Sequence, residues 1–360
     1  MFLRRLLRRL RGLFPLTLVA GDPFLTLGIE TSCDDTAVAV LEGPRRVLAA
    51  GLSSQVEDHA PHGGVVPELA SRKHQEAILP LLHQVLNRAG IRNPARELHL
   101  VAVTSGPGLM GSLLVGVMTA KALSQAWEVP LVSVNHLEGH LFANVVAHGD
   151  LKPPFLCLIV SGGHTEILLV RAFGDYQVLG GTRDDAAGEA YDKVAKLLGL
   201  GYPGGPVVDR LAATGNPEAF PLPVPLSGSG VVEFSFSGLK TAVLWVLKRL
   251  EKDGLPVPVE DLCASFQRAA VASLLEKTRV AVEQTGVRQV ALSGGVGANS
   301  ALRAGLEEEG ARRGWRVYLP PRDLCTDNGV MIAAAGYSSF RRGIRCDVTF
   351  APDPSWELNA

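Results

Sequence analysis

The chain opens the same way twice. Residues 25–29 (LTLGI), 30–36 (ETSCDDT) and 37–41 (AVAVL) run apolar, polar, apolar, and residues 155–160 (FLCLIV), 161–165 (SGGHT) and 166–171 (EILLVR) repeat the arrangement. Short apolar runs joined by a small polar turn read as paired buried strands. Two such openings in one chain of 360 residues, too long for one ordinary core, mark a duplicated α/β fold. Each turn gathers backbone N–H groups, and the first adds carboxylates. That suits a phosphate held by main-chain donors or through a metal. In a duplicated fold of this kind a nucleotide sits in the cleft between the halves, gripped by one turn from each.

Strands and helices alternate through the rest. A Gly63-Gly64 loop leads into a helix running on through Gln75–Ala89, apolar at 78, 79, 82, 85, 86 and 89 on one core-facing stripe. Leu98–Thr104 is a buried strand, and Ser105–Gly108 (SGPG) opens a helix over about 110–126. Strand 130–134 hands over to a further helix, and Lys152-Pro153-Pro154 is a break. Residues 180–205 hold Asp184, Asp185, Glu189, Asp192 and the Tyr202–Gly205 turn, residues 214–232 read as loop, and Lys240 lies in the first turn of the next helix. A long helix spans 258–285. The strand Val287–Leu292 ends in Ser293–Asn299 (SGGVGAN), strand Trp315–Leu319 follows, and a Pro-rich loop opens a last helix over 330–340. The 39 Gly and 23 Pro fit many tight turns and loops that approach a ligand closely. Gly-rich turns between strand and helix favour anions, yet neither the spaced GxGxxG pattern nor a P-loop is present. Asp192 can accept from ribose hydroxyls or stand on a solvated helix face. Lys240 can offer a cation to phosphate.

His136 and His140, in Asn135–His140 (NHLEGH), lie one helical turn apart on one face, so both can hold one metal ion. They sit where a strand hands over to a helix, where open α/β sheets bind ligands. Asp327 precedes the last helix as an expected N-cap. With the two histidines it makes a two-His, one-carboxylate set suited to iron or zinc with positions left open. The general-base Glu that metalloproteases carry directly after the first His is missing; the acid here is Glu138. His59, His62 and His74 are further candidates.

Lys+Arg 35 against Asp+Glu 36 gives net charge −1, so a nucleic-acid partner needs a local basic patch or help from another subunit. The five cysteines are scattered without CxxC. They suggest neither a disulfide framework nor a thiolate zinc site, and Cys33 and Cys325 read as packing residues. Residues 1–22 differ from the rest. Met1–Arg11 carries five arginines and no acid, followed by an apolar run broken by Pro15. The run is too short to span a bilayer. It reads as an export or transit segment, or as a harmless extension from an over-long start in front of a cytosolic protein; the last is the expectation.

Residues 28–36 (GIETSCDDT), 63–72 (GGVVPELASR), 135–140 (NHLEGH), 160–164 (VSGGH), 234–240 (FSFSGLK) and 325–329 (CTDNG) together resemble the TsaD family, also called YgjD or Gcp and once labelled O-sialoglycoprotein endopeptidase. The resemblance runs from about Leu25 to Cys346. It implies an actin-like, Hsp70-like ATPase (ASKHA) fold of two duplicated RNase H-like halves with a nucleotide cleft between them. The divisions expected are 1–22 as a basic extension, 24–152 plus about 328–360 as the N-terminal half, and 153–327 as the C-terminal half. It implies a cytoplasmic enzyme with no membrane association. The activity is transfer of a threonylcarbamoyl group from threonylcarbamoyl-AMP to N6 of adenosine 37 in tRNAs reading codons that start with A. By motif, His136, His140 and Asp327 hold one divalent metal, Fe2+ or Zn2+. Substrate contacts fall at Val160, Ser161, Gly162, Gly163, His164, Asp192, Gly205 and Asn299, and ATP or ADP can also occupy the cleft. TsaB-like and TsaE-like proteins are the implied partners, with a TsaC-like enzyme supplying the intermediate. Asn135 departs from the second His that many relatives carry there. The proton acceptor stays open among Asp34, Asp35 and Glu138. The rival readings are a metallopeptidase, an Hsp70-like binding subunit whose catalysis lies in a partner, and a small-molecule kinase of the same fold.

Overall fold

The computed structural model describes residues 23–358, so the basic extension at 1–22 lies outside the described residues. Two five-stranded sheets carry the fold. The first is built from β1 (Leu25–Glu30), β2 (Asp35–Glu42), β3 (Arg46–Ser54), β4 (Leu100–Gly106) and β5 (Leu131–Asn135), in the order β3-β2-β1-β4-β5. The second is built from β6 (Phe155–Val160), β7 (Thr165–Ala172), β8 (Asp175–Gly181), β9 (Gln289–Ser293) and β10 (Arg316–Tyr318), in the order β10-β9-β6-β7-β8. Read from each half's own first strand, the two orders are identical: three antiparallel strands, then two parallel ones. The duplication expected from the two openings is the architecture of the chain. Strands β3 and β8 are not anticipated by the apolar pattern. Each lies at one edge of its sheet, and their half-exposed patterns lack the continuous apolar run of a central strand.

Helices cover every sheet face, which is why β1, β4 and β6 read as near-continuous apolar runs. Helices α1 (Pro67–Arg88) and α2 (Met110–Trp127) close the outer face of the first sheet, where Ile78, Leu82 and Val85 meet Leu27, Val38 and Val101. Helix α3 (His136–Ala147) and the last long helix, Gly329–Arg341, lie between the sheets. Their Leu137, Leu141, Ile332 and Ala335 share one core with Ala102 and Val134 of the first sheet and Cys157 and Ile159 of the second. Helices α4 (Ala187–Leu197), α5 (Gly204–Ala212), α6 (Ser237–Lys252), α7 (Val259–Thr285) and α8 (Ser300–Arg313) build the outer layer of the second sheet, around Tyr191, Phe234 and Phe266. The last helix is α9 below. It packs flush on the first sheet because small residues allow it. A Cβ on Gly28 would lie 2.3 Å from Gly329 O, and one on Gly336 would lie 2.3 Å from Ala102 Cβ.

Beyond α9 the chain returns from the amino end of β5 to the carboxyl ends of β4 and β5. Cys346 N–H bonds Leu131 O at 2.9 Å, Asp353 N–H bonds Ser105 O at 2.8 Å, and Asn135 Nδ2 donates to Trp356 O at 3.0 Å. This strap brings Glu357 beside Glu166 of β7. Burial, then the charge of Glu357, push the Glu166 carboxyl up to about 7, and Glu166 Oε1 has no hydrogen-bond partner. A carboxyl whose folded pKa is raised contributes stability that is fully present below its unfolded value, here 4.5, and lost as pH rises through about 7. Glu166→Gln is therefore expected to stabilise the protein at pH 8 relative to wild type and to change little near pH 4.5. The ceiling is on the order of 3 kcal/mol. Urea midpoints of both proteins at the two pH values check this, and an equal offset at both would remove the titration as its cause.

Candidate metal centre

Helix α3 starts directly after β5, and Asn135 sets its first turn. Its Oδ1 accepts from Leu137 N–H at 2.9 Å and Glu138 N–H at 3.4 Å, an N-cap in the usual sense. Because α3 lies between two sheets it is buried on nearly all sides from His136 to Asn144. The two histidines therefore project into the interior, with ring centroids 4.6 Å apart. Asp327 comes to them from the other direction. Asn328, not Asp327, caps α9, accepting from Met331 N–H at 2.8 Å. The expected capping role of Asp327 passes to its neighbour and leaves its carboxylate free. Asp327 Oδ1 stands 3.2 Å from His140 Nε2 and 3.5 Å from His136 Nε2. One ligand atom from each of the three residues lies within 4.8 Å of the others.

These residues fit a metal. His140 is 1% exposed, and neither ring nitrogen finds a hydrogen-bond partner; Nε2 approaches Asp327 without hydrogen-bond geometry. Buried polar atoms are normally satisfied, and an ion shared with Asp327 satisfies this one. His136 is oriented from behind. Its Nδ1 lies 3.1 Å from Glu30 Oε2 and 3.1 Å from Ser32 Oγ, which points Nε2 at Asp327. Glu30 is fully buried and also accepts from Thr104 Oγ1 and Ser32 N–H. A carboxylate behind a ligating imidazole fixes its tautomer and ring plane. The charges agree. Burial opposes a charged His136, but Asp327 and Glu30 push it up to about 9. Burial likewise opposes ionised Glu30 and Asp327, and the neighbouring histidines hold both below the ordinary carboxylate range. Glu30→Gln keeps the shape and removes the charge behind His136. It is expected to weaken metal binding by about 10–100-fold, measured by competition against a fluorescent chelator. Unchanged affinity would show that Glu30 does not support the ligand.

Both polar turns converge here. The first supplies Glu30 and Ser32. The second closes through Ser161 N–H to His164 O at 2.8 Å and His164 N–H to Ser161 Oγ at 3.1 Å. Burial, then the positive charges of His136 and His140, lower the His164 imidazole to about 4, so it is neutral at pH 7 and faces the pair. Gly162 and Gly163 are exposed, with open space where a side chain would be, and their N–H groups are the free donors of the turn. Val160 is buried in the sheet and offers its backbone alone.

Burial, and then the charge of Asp34, raise both Asp192 and Tyr202. Asp192 accepts from Gly204 N–H at 2.7 Å, at the start of α5, where a Cβ on Gly205 would meet nothing within 4 Å. Burial raises Asp34 and lifts Asp35 to about 7, and Asp35 Oδ1 is buried without a partner. Two expected roles meet an obstacle. Glu138 sits two positions past His136, on another face of α3. There it accepts from Tyr176 OH at 2.6 Å and Arg342 at 3.2 Å, so it is not among the groups brought to the centre. The Asn299 side chain caps α8 through Leu302 N–H at 2.9 Å and donates to Gln267 Oε1 at 2.7 Å, which leaves it little freedom for a ligand. His59 and His74 are buried and hydrogen-bonded, with Gln55 at 3.1 Å and with Thr36 at 2.8 Å, while His62 is exposed. Lys240 is half-buried on α6.

Sequence reasoning misses Gln267 and Asp209. Asp209 on α5 holds the start of α8, accepting from Ser300 Oγ at 2.7 Å. Beside it lies a cavity of about 450 Å³, walled by Ala212, Ala264, Val271 and Ala301 and reached by Gln267. The oxygen of Gln267 is taken by Asn299 and by Tyr191 OH at 3.3 Å. Its amide nitrogen has no protein partner among the described residues. The signal available in the sequence is a lone Gln within an apolar helix stripe.

The family model described as "TsaD: tRNA N6-adenosine threonylcarbamoyltransferase" matches residues 46–334. Proteins of that name from Dictyoglomus turgidum and Symbiobacterium thermophilum are 47% and 51% identical to the chain. The first match covers 92% of this chain and 98% of the relative, the second 93% and 97%. Among solved structures, HypF of T. kodakarensis aligns with TM-score 0.59 at 15% identity, over 89% of this chain and 48% of that one. Component A of the Acidaminococcus fermentans (R)-2-hydroxyglutaryl-CoA dehydratase aligns with TM-score 0.53 at 15% identity, over 88% and 98%. At that identity the likeness is one of fold: the actin-like, duplicated α/β architecture expected of the chain.

Proposed function

The chain belongs to the TsaD family, the tRNA N6-adenosine threonylcarbamoyltransferases, and from that premise we propose how it carries out the transfer. The enzyme is an acyltransferase that forms N6-threonylcarbamoyladenosine in tRNA. The donor in our reading is threonylcarbamoyl-AMP, and the target is adenosine 37 of tRNAs reading codons that start with A. The observation that carries the reading is the convergence of both polar turns on the His136–His140–Asp327 set. A phosphate, a metal and a reacting carbonyl can then meet at one place.

His136, His140 and Asp327 would hold one divalent ion, iron or zinc, which supplies Lewis acidity toward a carbonyl or phosphate oxygen. The protein's own groups do the rest. The N–H groups of Gly162 and Gly163 and neutral His164 are placed to bind phosphate oxygens. Asp192 and the start of α5 at Gly205 receive the ribose. The cavity beside Gln267 takes the planar base between alanine walls, with the free amide nitrogen donating to a ring nitrogen; ATP or ADP would use the same subsite. Adenine N6 attacks the carbamoyl carbon, the carbon–oxygen bond to phosphate breaks, and AMP leaves. The N6 proton needs an acceptor. Asp35, lifted to about 7, and its neighbour Asp34 are the remaining candidates, because Glu138 is committed to Tyr176 and Arg342. Holding donor and acceptor in one orientation supplies much of the acceleration.

We further propose TsaB-like and TsaE-like partners, a TsaC-like source of the intermediate, and a cytoplasmic location. No helix among the described residues is long and apolar enough to cross a membrane. The division into 24–152 plus about 328–360 and 153–327 is supported by the packing of α9 on β1, β2 and β4. The old peptidase reading finds no support, since the acid beside the histidine pair is locked in an ion pair. The test incubates the protein with TsaB, TsaE, ATP, unmodified tRNA and threonylcarbamoyl-AMP and seeks the modified nucleoside by mass. Its absence, with partners shown active on a known enzyme of the family, would overturn the assignment.

A further inference from the structure

Helix α6 (Ser237–Lys252) carries three lysines and one arginine against one glutamate, in a chain whose net charge is −1. Most of them fall on one side. With 3.6 residues per turn, Thr241, Trp245, Lys248, Arg249 and Lys252 share a stripe of roughly 100°, and all five are exposed. Glu251 falls outside it. Lys240, Lys248 and Lys252 have no acid within salt-bridge distance among the described residues, and Arg249 reaches Asp253 at 3.8 Å only. Several basic groups elsewhere on the surface are paired, as in Arg171–Asp175 and Arg72–Glu68. Attraction of cations to the helix C-terminus accounts for charge in the last turn. It does not account for Trp245, which is 65% exposed with Lys248 Nζ 5.3 Å from its ring centroid.

The stripe starts at the rim of the site. Asp184 grips the first turn of α6, accepting from Phe236 N–H at 2.7 Å, Ser237 Oγ at 2.8 Å and Ser235 Oγ at 2.6 Å. Thr182, two residues before Asp184, donates its N–H to Thr165 O at 2.8 Å, next to His164. From that anchor the helix extends for about 24 Å.

We propose that the exposed face of α6 is an RNA-docking surface, with Lys248, Arg249 and Lys252 on the phosphate backbone and Trp245 stacking on an unpaired base. A row of exposed cations, two of them without an acid partner among the described residues, beside one exposed aromatic ring matches a polyanion whose bases splay at a loop. A protein partner of this face would have to be acidic. The proposal rests on the transferase reading and names the part of this chain that would hold its macromolecular substrate.

The test uses the full chain and an unmodified tRNA transcript with adenosine at position 37. Binding is followed by fluorescence anisotropy over a range of salt. K248E/K252E is expected to weaken binding at least about tenfold and to reduce the salt slope by about two. Trp245→Ala is expected to weaken binding about 5–50-fold with the salt slope unchanged. K248Q/K252Q should fall between K248E/K252E and wild type. Metal content and urea midpoints should not move, which keeps a folding defect apart from an RNA defect. Wild-type affinity and slope in all three variants would overturn the docking surface while leaving the transferase reading intact, provided the wild type still modifies tRNA. Loss of partner-protein association in these variants without loss of RNA binding would overturn it equally and reassign the face to a protein. A wild type that makes no modified nucleoside in the mass assay sinks the transferase reading and this one together.

Discussion

Replacing His140 with alanine is expected to remove the metal and the transfer activity together. The ring is buried and both its nitrogens lack hydrogen-bond partners, so its polar atoms are left unsatisfied in the metal-free fold. Their value lies in the shared ion. Loss of an orienting group behind a ligand costs about 10–100-fold in metal affinity, and loss of a ligand should cost more. Metal per chain should therefore fall to background, and product formation should drop by at least about 100-fold. His140→Leu, which refills the volume, should show the same losses with the metal-free stability kept or raised, because an unsatisfied buried polar group has been removed. Elemental analysis and nucleoside mass on the same preparations decide the matter. A variant that contains no metal yet transfers at the wild-type rate would take the metal out of the reaction.

Gly28→Val is expected to be the most damaging single change outside the centre. A side chain at Gly28 would stand 2.3 Å from Gly329 O, 2.5 Å from Ala333 N and 2.8 Å from Ala333 Cβ. Two of those atoms are helix backbone and cannot swing aside. Overpacking of this kind costs about 1–3 kcal/mol and sometimes more, and the upper end is expected here. The effect should reach the site, because α9 begins two residues after Asp327, and any shift of α9 off the sheet carries that carboxylate with it. Metal affinity should therefore fall along with the urea midpoint. Gly162→Ala is the control, since nothing lies within 4 Å of the added carbon, and its stability should stay within about 0.5 kcal/mol. Equal midpoints for Gly28→Val and wild type would mean that α9 is not packed as described.

The parts of this molecule that follow short-range rules are legible in its amino-acid order. The four-residue spacing of His136 and His140 needs only a helix to place them together. The two strand–turn–strand openings imply duplication because a buried strand has to be a continuous apolar run. Contacts that depend on distant partners are not legible in the same way. Glu30 looks like one more acid in a phosphate-sized turn, and it is the group behind His136, 106 residues away. Glu138 looks like a proton acceptor beside the metal pair, and Arg342, 204 residues away, has claimed it. Asp327 joins the histidines as expected, but the helix it precedes is capped by Asn328, and that exchange is what frees its carboxylate. Strands β3 and β8 escape notice because they are half-exposed and lack the continuous apolar run of the interior.

The ligand set also joins distant parts of the chain. His140 precedes the second sheet and Asp327 follows it, so an ion held by both closes a covalent loop of about 190 residues. A clip of that span acts mainly on the unfolded chain, whose freedom it restricts, and longer loops gain more by this route in theory. The ion would behave like a reversible cross-link, whose contribution rises with free metal concentration and is worth about 2.7 kcal/mol at a hundred times the dissociation constant. The resistance of the enzyme to unfolding would then follow the metal supply of its surroundings, and chelation would lower its lifetime as well as its activity.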